Sequence, residues 1–272
     1  MTVLLPAALM FMQVGVNPAT GQTPGIPDEL RDRPPRAAVA TDRPAGRSAI
    51  DVCLSTARED PAKARALAQE WVSRTTGSQR ATGHHCLAVA AGNAGDWASA
   101  AAAFLAARDE ADAPRFRARM GALAGSALLT QGKPGEALAV LDRAAAEKSA
   151  DSSLEGYIAQ ERAVALVALE RLPEAALALD AARALAPADA HGWLLSATLA
   201  RRQGDLATAQ TRIERAAALD PRDPGIGLEA GVIAALAGRD AAARQSFQSV
   251  IAAAPESEQA AAARTYLSQL SQ

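Results

Sequence analysis

GDLATAQTRIERAAALDP occupies residues 204–221, and GRDAAARQSFQSVIAAAP occupies residues 238–255. Gly204 answers to Gly238, Ala209 to Ala243, Ile213 to Phe247, Ala216 to Val250 and Pro221 to Pro255, each 34 residues further on. The same internal spacing runs through Gly95, Ala100, Phe104 and Ala107, and through Gly132, Ala137, Leu141 and Ala144. A degenerate copy runs through Glu170, Ala175, Leu179, Ala182 and Pro187. The earliest candidate opens at Asp60-Pro61 and carries Ala64, Ala68 and Trp71. Gly, Asn or Asp with Pro breaks the chain between two helices and caps the second. Small residues at the Ala positions let two helices approach closely. Phe104, Ile213 and Phe247, one turn further on, fill the gap to the next unit. The terminal Pro stops the second helix. One such hairpin cannot bury its apolar stripe alone, whereas stacked neighbours can. The reading is all-α: six helix pairs plus a final helix from about Glu256 to Leu270 that caps the last apolar face. Gly92, Gly95, Gly121 and Gly125 sit in helical patterns and read as close helix contacts.

Composition supports this. Alanine makes up about a quarter of the chain, and Ala loses no side-chain entropy in a helix. Aromatics are only 3%, so the helices are thin and closely packed. The 28 basic and 30 acidic side chains leave a net charge of −2. A nucleic-acid binder would need a basic surplus to displace counterions from phosphate. Hydrophobic content of 49% with 21% charged residues also excludes a wholly disordered chain.

The period and the G…A…F…A…P pattern resemble tetratricopeptide repeats. The resemblance is closest over residues 190–255 and looser over 81–187, where offsets stretch to about 37–38 residues. It is faint over 48–77. Trp193 stands where that family often has a first-helix aromatic and Gly231 where it often has a small residue, while His84, Gly121 and Ala159 depart from the aromatic. The resemblance implies a right-handed α–α superhelix whose first helices line a concave groove. Carried over residue by residue, the groove positions are Thr82, His85, Val89 and Asn93, then Arg119, Ser126 and Leu129. Tyr157, Gln160, Val164 and Val167 follow, then His191, Leu194, Thr198, Arg201 and Arg202, and last Leu228, Val232 and Leu236. An extended or helical segment of a partner protein with apolar anchors fits that mixed surface. Asn93 has no lysine beside it, which disfavours clamping of a terminal carboxylate. The plainer alternative is that Val164, Val167, Leu228 and Leu236 pack against neighbouring helices.

Residues 3–16 read VLLPAALMFMQVGV, an apolar run of signal-peptide length and too short for a membrane span of about 20 residues. No Lys or Arg precedes it, and Pro18-Ala19-Thr20-Gly21 is only a loose cleavage site. Residues 1–16 are therefore assigned as an apolar segment that directs export to the periplasm or envelope, with a cytoplasmic protein bearing an apolar tail as the alternative. Residues 17–47 hold Pro18, Pro24, Pro27, Pro34, Pro35 and Pro44 and read as a disordered, extended linker. The solenoid then occupies 48–272. Cys53 and Cys86 fall on predicted helices one repeat apart. In a reducing compartment they are small buried apolar residues; in an oxidising one they can pair, and the sequence leaves both open. The stretch Cys53, Ala57, Asp60-Pro61, Ala64, Ala68, Trp71, Cys86 is also similar to the opening of tetratricopeptide proteins of bacterial cell envelopes, in which such a cysteine pair precedes the repeats.

Little supports catalysis. His84-His85-Cys86 invites a metal, but helical neighbours point about 100° apart and no further Cys or His stands at ligand spacing. No zinc-protease motif, phosphate loop, nucleophile elbow or dinucleotide fingerprint occurs. Asp109-Glu110, with Asp112, reads as a solvated helix end. No catalytic residue, metal or cofactor is assigned. The expectation is a non-enzymatic scaffold or assembly factor; a self-associating envelope protein and an enzyme built around His84 and Cys86 are the alternatives.

Overall fold

The computed structural model describes residues 48–270; the segments 1–16 and 17–47 lie outside the described residues. Among the described residues there are thirteen α-helices and no strand. They are α1 (Ala49–Glu59), α2 (Pro61–Arg74), α3 (Gly77–Asn93), α4 (Trp97–Asp109), α5 (Pro114–Thr130), α6 (Pro134–Ala146) and α7 (Ser152–Ala168). Next come α8 (Leu172–Leu185), α9 (Ala190–Arg202), α10 (Leu206–Leu219), α11 (Pro224–Leu236), α12 (Asp240–Ala253) and α13 (Glu258–Gln269). They form six pairs, α1–α2 through α11–α12, and one closing helix, the count read from the repeat. Within each pair the helices pack on each other, and the second helix then packs on the first helix of the next pair. This neighbour-on-neighbour contact defines a solenoid.

Five pairs turn in the same way. Gly95, Gly132, Gly204 and Gly238 hold φ of 77°, 71°, 81° and 70°, the left-handed conformation that glycine adopts without Cβ strain. The following N–H, from Asp96, Lys133, Asp205 or Arg239, donates to the carbonyl five residues back. Gly95 is thus a turn residue and not one of the helix-packing glycines, because its backbone conformation and not its size is what the turn needs. The fifth turn places Glu170 in the same conformation, at φ 58°, and the Arg171 N–H still reaches the Leu166 carbonyl. Asp96 and Asp205 then cap α4 and α10 by accepting from the N–H groups of Ser99 and Thr208.

From α3–α4 onward, packing within a pair sets a small residue on the first helix against a large one on the second. A Cβ added to Gly125 would stand 2.5 Å from Leu141 Cγ, and one on Gly231 would enter the Phe247 ring. The alanines at the repeat landmarks, Ala100, Ala107, Ala137, Ala144, Ala175, Ala182, Ala209, Ala216 and Ala243, are all buried. Phe247 also stacks on Tyr266 of α13, with ring centroids 5.4 Å apart. That contact is how the closing helix covers the last pair. Trp193 on α9 lies between Arg183 and Arg215 and donates from Nε1 to the Pro187 carbonyl.

The first pair is built differently. Asp60 alone joins α1 to α2, accepting from the Lys63 N–H as the cap of α2. The two cysteines are joined: the Cys53–Cys86 disulfide ties α1 to α3 with a Cα–Cα separation of 6.1 Å. Ala68 is buried beside them, and Ile50, Trp71 and Leu87 pack around that cluster.

Two outcomes follow for stability. Among the described residues, Glu170→Gly relieves the one left-handed turn inside a helix pair that is not built on glycine and raises stability by about 0.5–1 kcal/mol, read as a higher melting temperature by circular dichroism. Reducing the disulfide removes about 3–4 kcal/mol in the chain-entropy model. Because the fold couples only neighbours, hydrogen exchange then quickens in α1 and α2 and stays unchanged in α9–α13.

Candidate functional site

Nine residues before each turn residue stand Cys86, Leu123, Glu161, Leu195 and Glu229, and α13 continues the series with Ala263, 34 residues after Glu229. This position is where the first helix of one unit meets the first helix of the unit before it. Its chemistry alternates, and the junctions alternate with it.

At three junctions the side chain seals the gap. Cys86 bonds Cys53 across α1 and α3. Glu161 on α7 accepts from Ser126 Oγ on α5 at 2.6 Å, and the same Oγ lies 2.7 Å from the Tyr157 hydroxyl. Burial raises the Glu161 carboxyl, with the Ser126 hydrogen bond and nearby His191 opposing that shift. Burial likewise raises the Tyr157 phenol. Glu229 on α11 accepts from Arg201 Nε on α9 at 2.6 Å and from its Nη2 at 3.3 Å, a two-pronged ion pair of mostly covered partners.

At the other three junctions the gap stays open and apolar. Between α3 and α5 a hollow of about 320 Å³ is walled by Val89, Gly92, Leu123, Ser126 and Thr130, with Trp97 at its edge and Phe104 at its floor. Between α7 and α9 a hollow of about 150 Å³ is walled by Val164, Val167, Leu195, Thr198 and Arg202 over Leu179. Between α11 and α13 a third, about 240 Å³, is walled by Val232, Leu236, Tyr266 and Leu270 over Phe247. The construction is the same each time: consecutive first helices form the walls, and the large residue nine past the turn (Phe104, Leu179, Phe247) forms the floor.

The residues inferred for the groove divide accordingly. Val164, Thr198 and Arg202 gather at the second hollow and Val232 and Leu236 at the third; Val89, Asn93 and Ser126 reach the first. Leu129, Leu194 and Leu228 are half-buried against the core clusters. Arg119, His191 and Arg202 are exposed. Asn93, Gln160 and Arg201 use their polar ends to join units. Asn93 Nδ2 donates to the Ala57 carbonyl at 2.8 Å. Gln160, 2% exposed, donates to Asp189 Oδ2 at 2.6 Å. Arg201 is held by Glu229. His85 is half-buried, its ring 5.9 Å from Phe116 and 6.3 Å from Phe104. Its pKa falls to about 4, first from burial and then from the Arg119 charge.

Neither Glu161 nor Glu229 stands out in the sequence until it is lined up nine residues before the turn. The clasps Arg80–Glu110 and Arg117–Glu147, at 2.6 and 2.9 Å, close two hairpins at their base. Both members shift by the 37 residues that separate Gly95 from Gly132, a signal present in the sequence. Glu110 and Asp112 are therefore occupied, by Arg80 and by Ser78, in joining α3 to the end of the pair. His84 Nε2 lies 3.7 Å from Glu110, and burial lowers its pKa. Among the described residues no three His, Cys, Asp or Glu side chains are grouped to hold a metal. No helix there is long and apolar enough to cross a membrane.

The tetratricopeptide repeat family model matches residues 87–152, 123–190 and 194–258, and the chain belongs to that family. No curated protein sequence matches it. Among solved structures, Pseudomonas aeruginosa PilF is similar over 80% of this chain and 95% of its own, at TM-score 0.63 and 15% identity. PilW, described as a widely conserved type IV pilus biogenesis factor, is similar over 79% and 98%, at TM-score 0.65 and 16% identity. A chain of the APC/C hetero-tetramer Cut9–Hcn1 is similar over 82% of this chain but 43% of its own, at TM-score 0.64 and 13% identity. At these identities the likeness is one of fold.

His85 gives the face a pH dependence. Its folded pKa lies below the unfolded value of 6.5, so the unfolded chain takes the proton first as pH falls. The stabilisation is complete above about pH 6.5 and is lost on acidification toward pH 4, a change of order 3 kcal/mol. His85→Phe keeps an aromatic ring between Phe104 and Phe116 without a titrating group. The stability difference between variant and parent therefore shifts toward the variant across that window in denaturant titrations.

Proposed function

We propose that this chain is a non-enzymatic scaffold that holds a segment of a partner protein against its first-helix face. One observation carries the reading: three apolar hollows of the same construction lie at alternate junctions of that face. An apolar surface repeated along a semi-rigid solenoid binds by summing modest contacts. The sealed junctions between them fix the distance from one hollow to the next.

The compartment we propose is the bacterial envelope, after export directed by residues 1–16. The Cys53–Cys86 disulfide supports this, since such bonds persist in oxidising compartments. The fold shared with PilF and with the pilus biogenesis factor PilW supports it further.

A photo-cross-linking amino acid at Thr198, inside the second hollow, captures a partner protein in cells; the same group at Leu177, 70% exposed on α8, does not. Arg202→Glu reduces the Thr198 product with an unchanged melting temperature. Arg201 is left intact, because Arg201→Glu would set two carboxylates against each other at Glu229. Equal capture at both positions, or at neither, removes this reading. The envelope assignment is checked by the mass of the cellular chain, expected to lack its first residues.

A further inference from the structure

We infer that the first-helix face reads the register of an extended partner segment: apolar side chains about six residues apart, with a basic side chain between the first two. This rests on the scaffold reading above and adds to it the chemistry of the partner.

The spacing comes from the alternation. Packed helices lie about 8–10 Å apart, and the α3/α5 and α7/α9 hollows are separated by two such steps, about 16–20 Å. An extended chain covers about 3.3 Å per residue, so two anchors seated in neighbouring hollows are about five to six residues apart, of which six is the even value. An even number also keeps both on one face of the segment, because side chains alternate sides along a strand. An odd spacing turns one anchor to solvent.

The charge comes from the sealed junction between those hollows. Glu161 sits there with Oε2 accepting from Ser126, while Oε1 has no protein donor among the described residues and is not among the buried unpartnered atoms. Ser126 also walls the first hollow, so the carboxylate lies at its rim. A lysine or arginine two or four positions after the first anchor points to the same face and meets it. The next sealed junction offers no such group, since both Glu229 oxygens accept from Arg201. The face is therefore asymmetric: a cation belongs between the first and second anchors and not between the second and third. That asymmetry fixes the direction of the bound segment.

The probes are fluorescein-labelled peptides of about eighteen residues, built from serine, threonine and glycine and titrated against the full chain by anisotropy. Each carries one leucine near its start, a second leucine about six positions later, and a lysine two positions after the first. Moving the second leucine one position closer, or replacing either leucine by serine, weakens binding at least tenfold. Lysine between the leucines binds better than glutamate there, and Glu161→Gln abolishes that preference while leaving the leucine-spacing effect. Leu195→Glu closes the second hollow with the residue that α7 and α11 already carry at this position, and it removes the contribution of the second leucine. Leu123→Glu does the same for the first leucine and serves if the other variant fails to fold. Binding that ignores leucine spacing, best binding at a helical spacing of about fourteen residues, or no saturable binding by any peptide overturns the register. If partner capture at Thr198 persists in that case, the scaffold reading stands and only the register falls; if capture is absent too, both fall.

Discussion

The structure depends on a size match inside each hairpin after the first, a small side chain on the first helix facing a large one on the second. Gly125 against Leu141 and Gly231 against Phe247 are its tightest cases, with no room for a single added carbon. Close approach buries the alanines along both helices and leaves each pair with an apolar stripe that it cannot cover itself. The next pair covers it, and α13 ends the series by laying Tyr266 on Phe247. Stability is thereby local and sequential. A defect at one turn is felt by its own unit and the two beside it, which is why the disulfide matters at the first unit, the only one among the described residues that lacks a left-handed turn between its helices.

Much of this was legible in the sequence because it rests on backbone geometry and side-chain volume. Gly204 and Gly238 mark turns, and Ala209, Ile213, Ala243 and Phe247 mark contact positions; both kinds of requirement restrict residue choice enough to leave a period. Where the requirement is soft, the signal fades. Glu170 holds the same backbone conformation as the four glycines, so the turn survives a residue that disfavours it and the repeat there looks degenerate. Gly95 was ambiguous for the opposite reason, since glycine serves close packing and left-handed turns alike.

The partner face was legible only in outline. Position along the first helix predicts which side chains lie toward the neighbouring unit, but not which of them find a hydrogen-bond partner there. Gln160 and Asn93 resemble groove residues in sequence, yet each has a carbonyl or carboxylate of the adjacent unit within reach, and burying the Gln160 amide without one would be costly. Arg201 and Arg202 are consecutive and alike in charge, but 100° of helical rotation sends the first to Glu229 and leaves the second beside an apolar hollow. No single-residue property separates such pairs; the separation comes from the alignment of one helix with the next.

That alignment relates stability to recognition. A solenoid whose first helices were sealed at every junction would gain cohesion and lose its binding surface. One left open at every junction would expose a continuous apolar strip, which invites self-association. Alternation satisfies both demands. Polar or covalent seals at Cys86, Glu161 and Glu229 each specify a single geometry, because a buried carboxylate or a disulfide tolerates little displacement. The intervening Leu123, Leu195 and Ala263 positions leave recesses that are small and separated. The constraint that holds neighbouring units in register is then also the ruler against which a partner chain is measured.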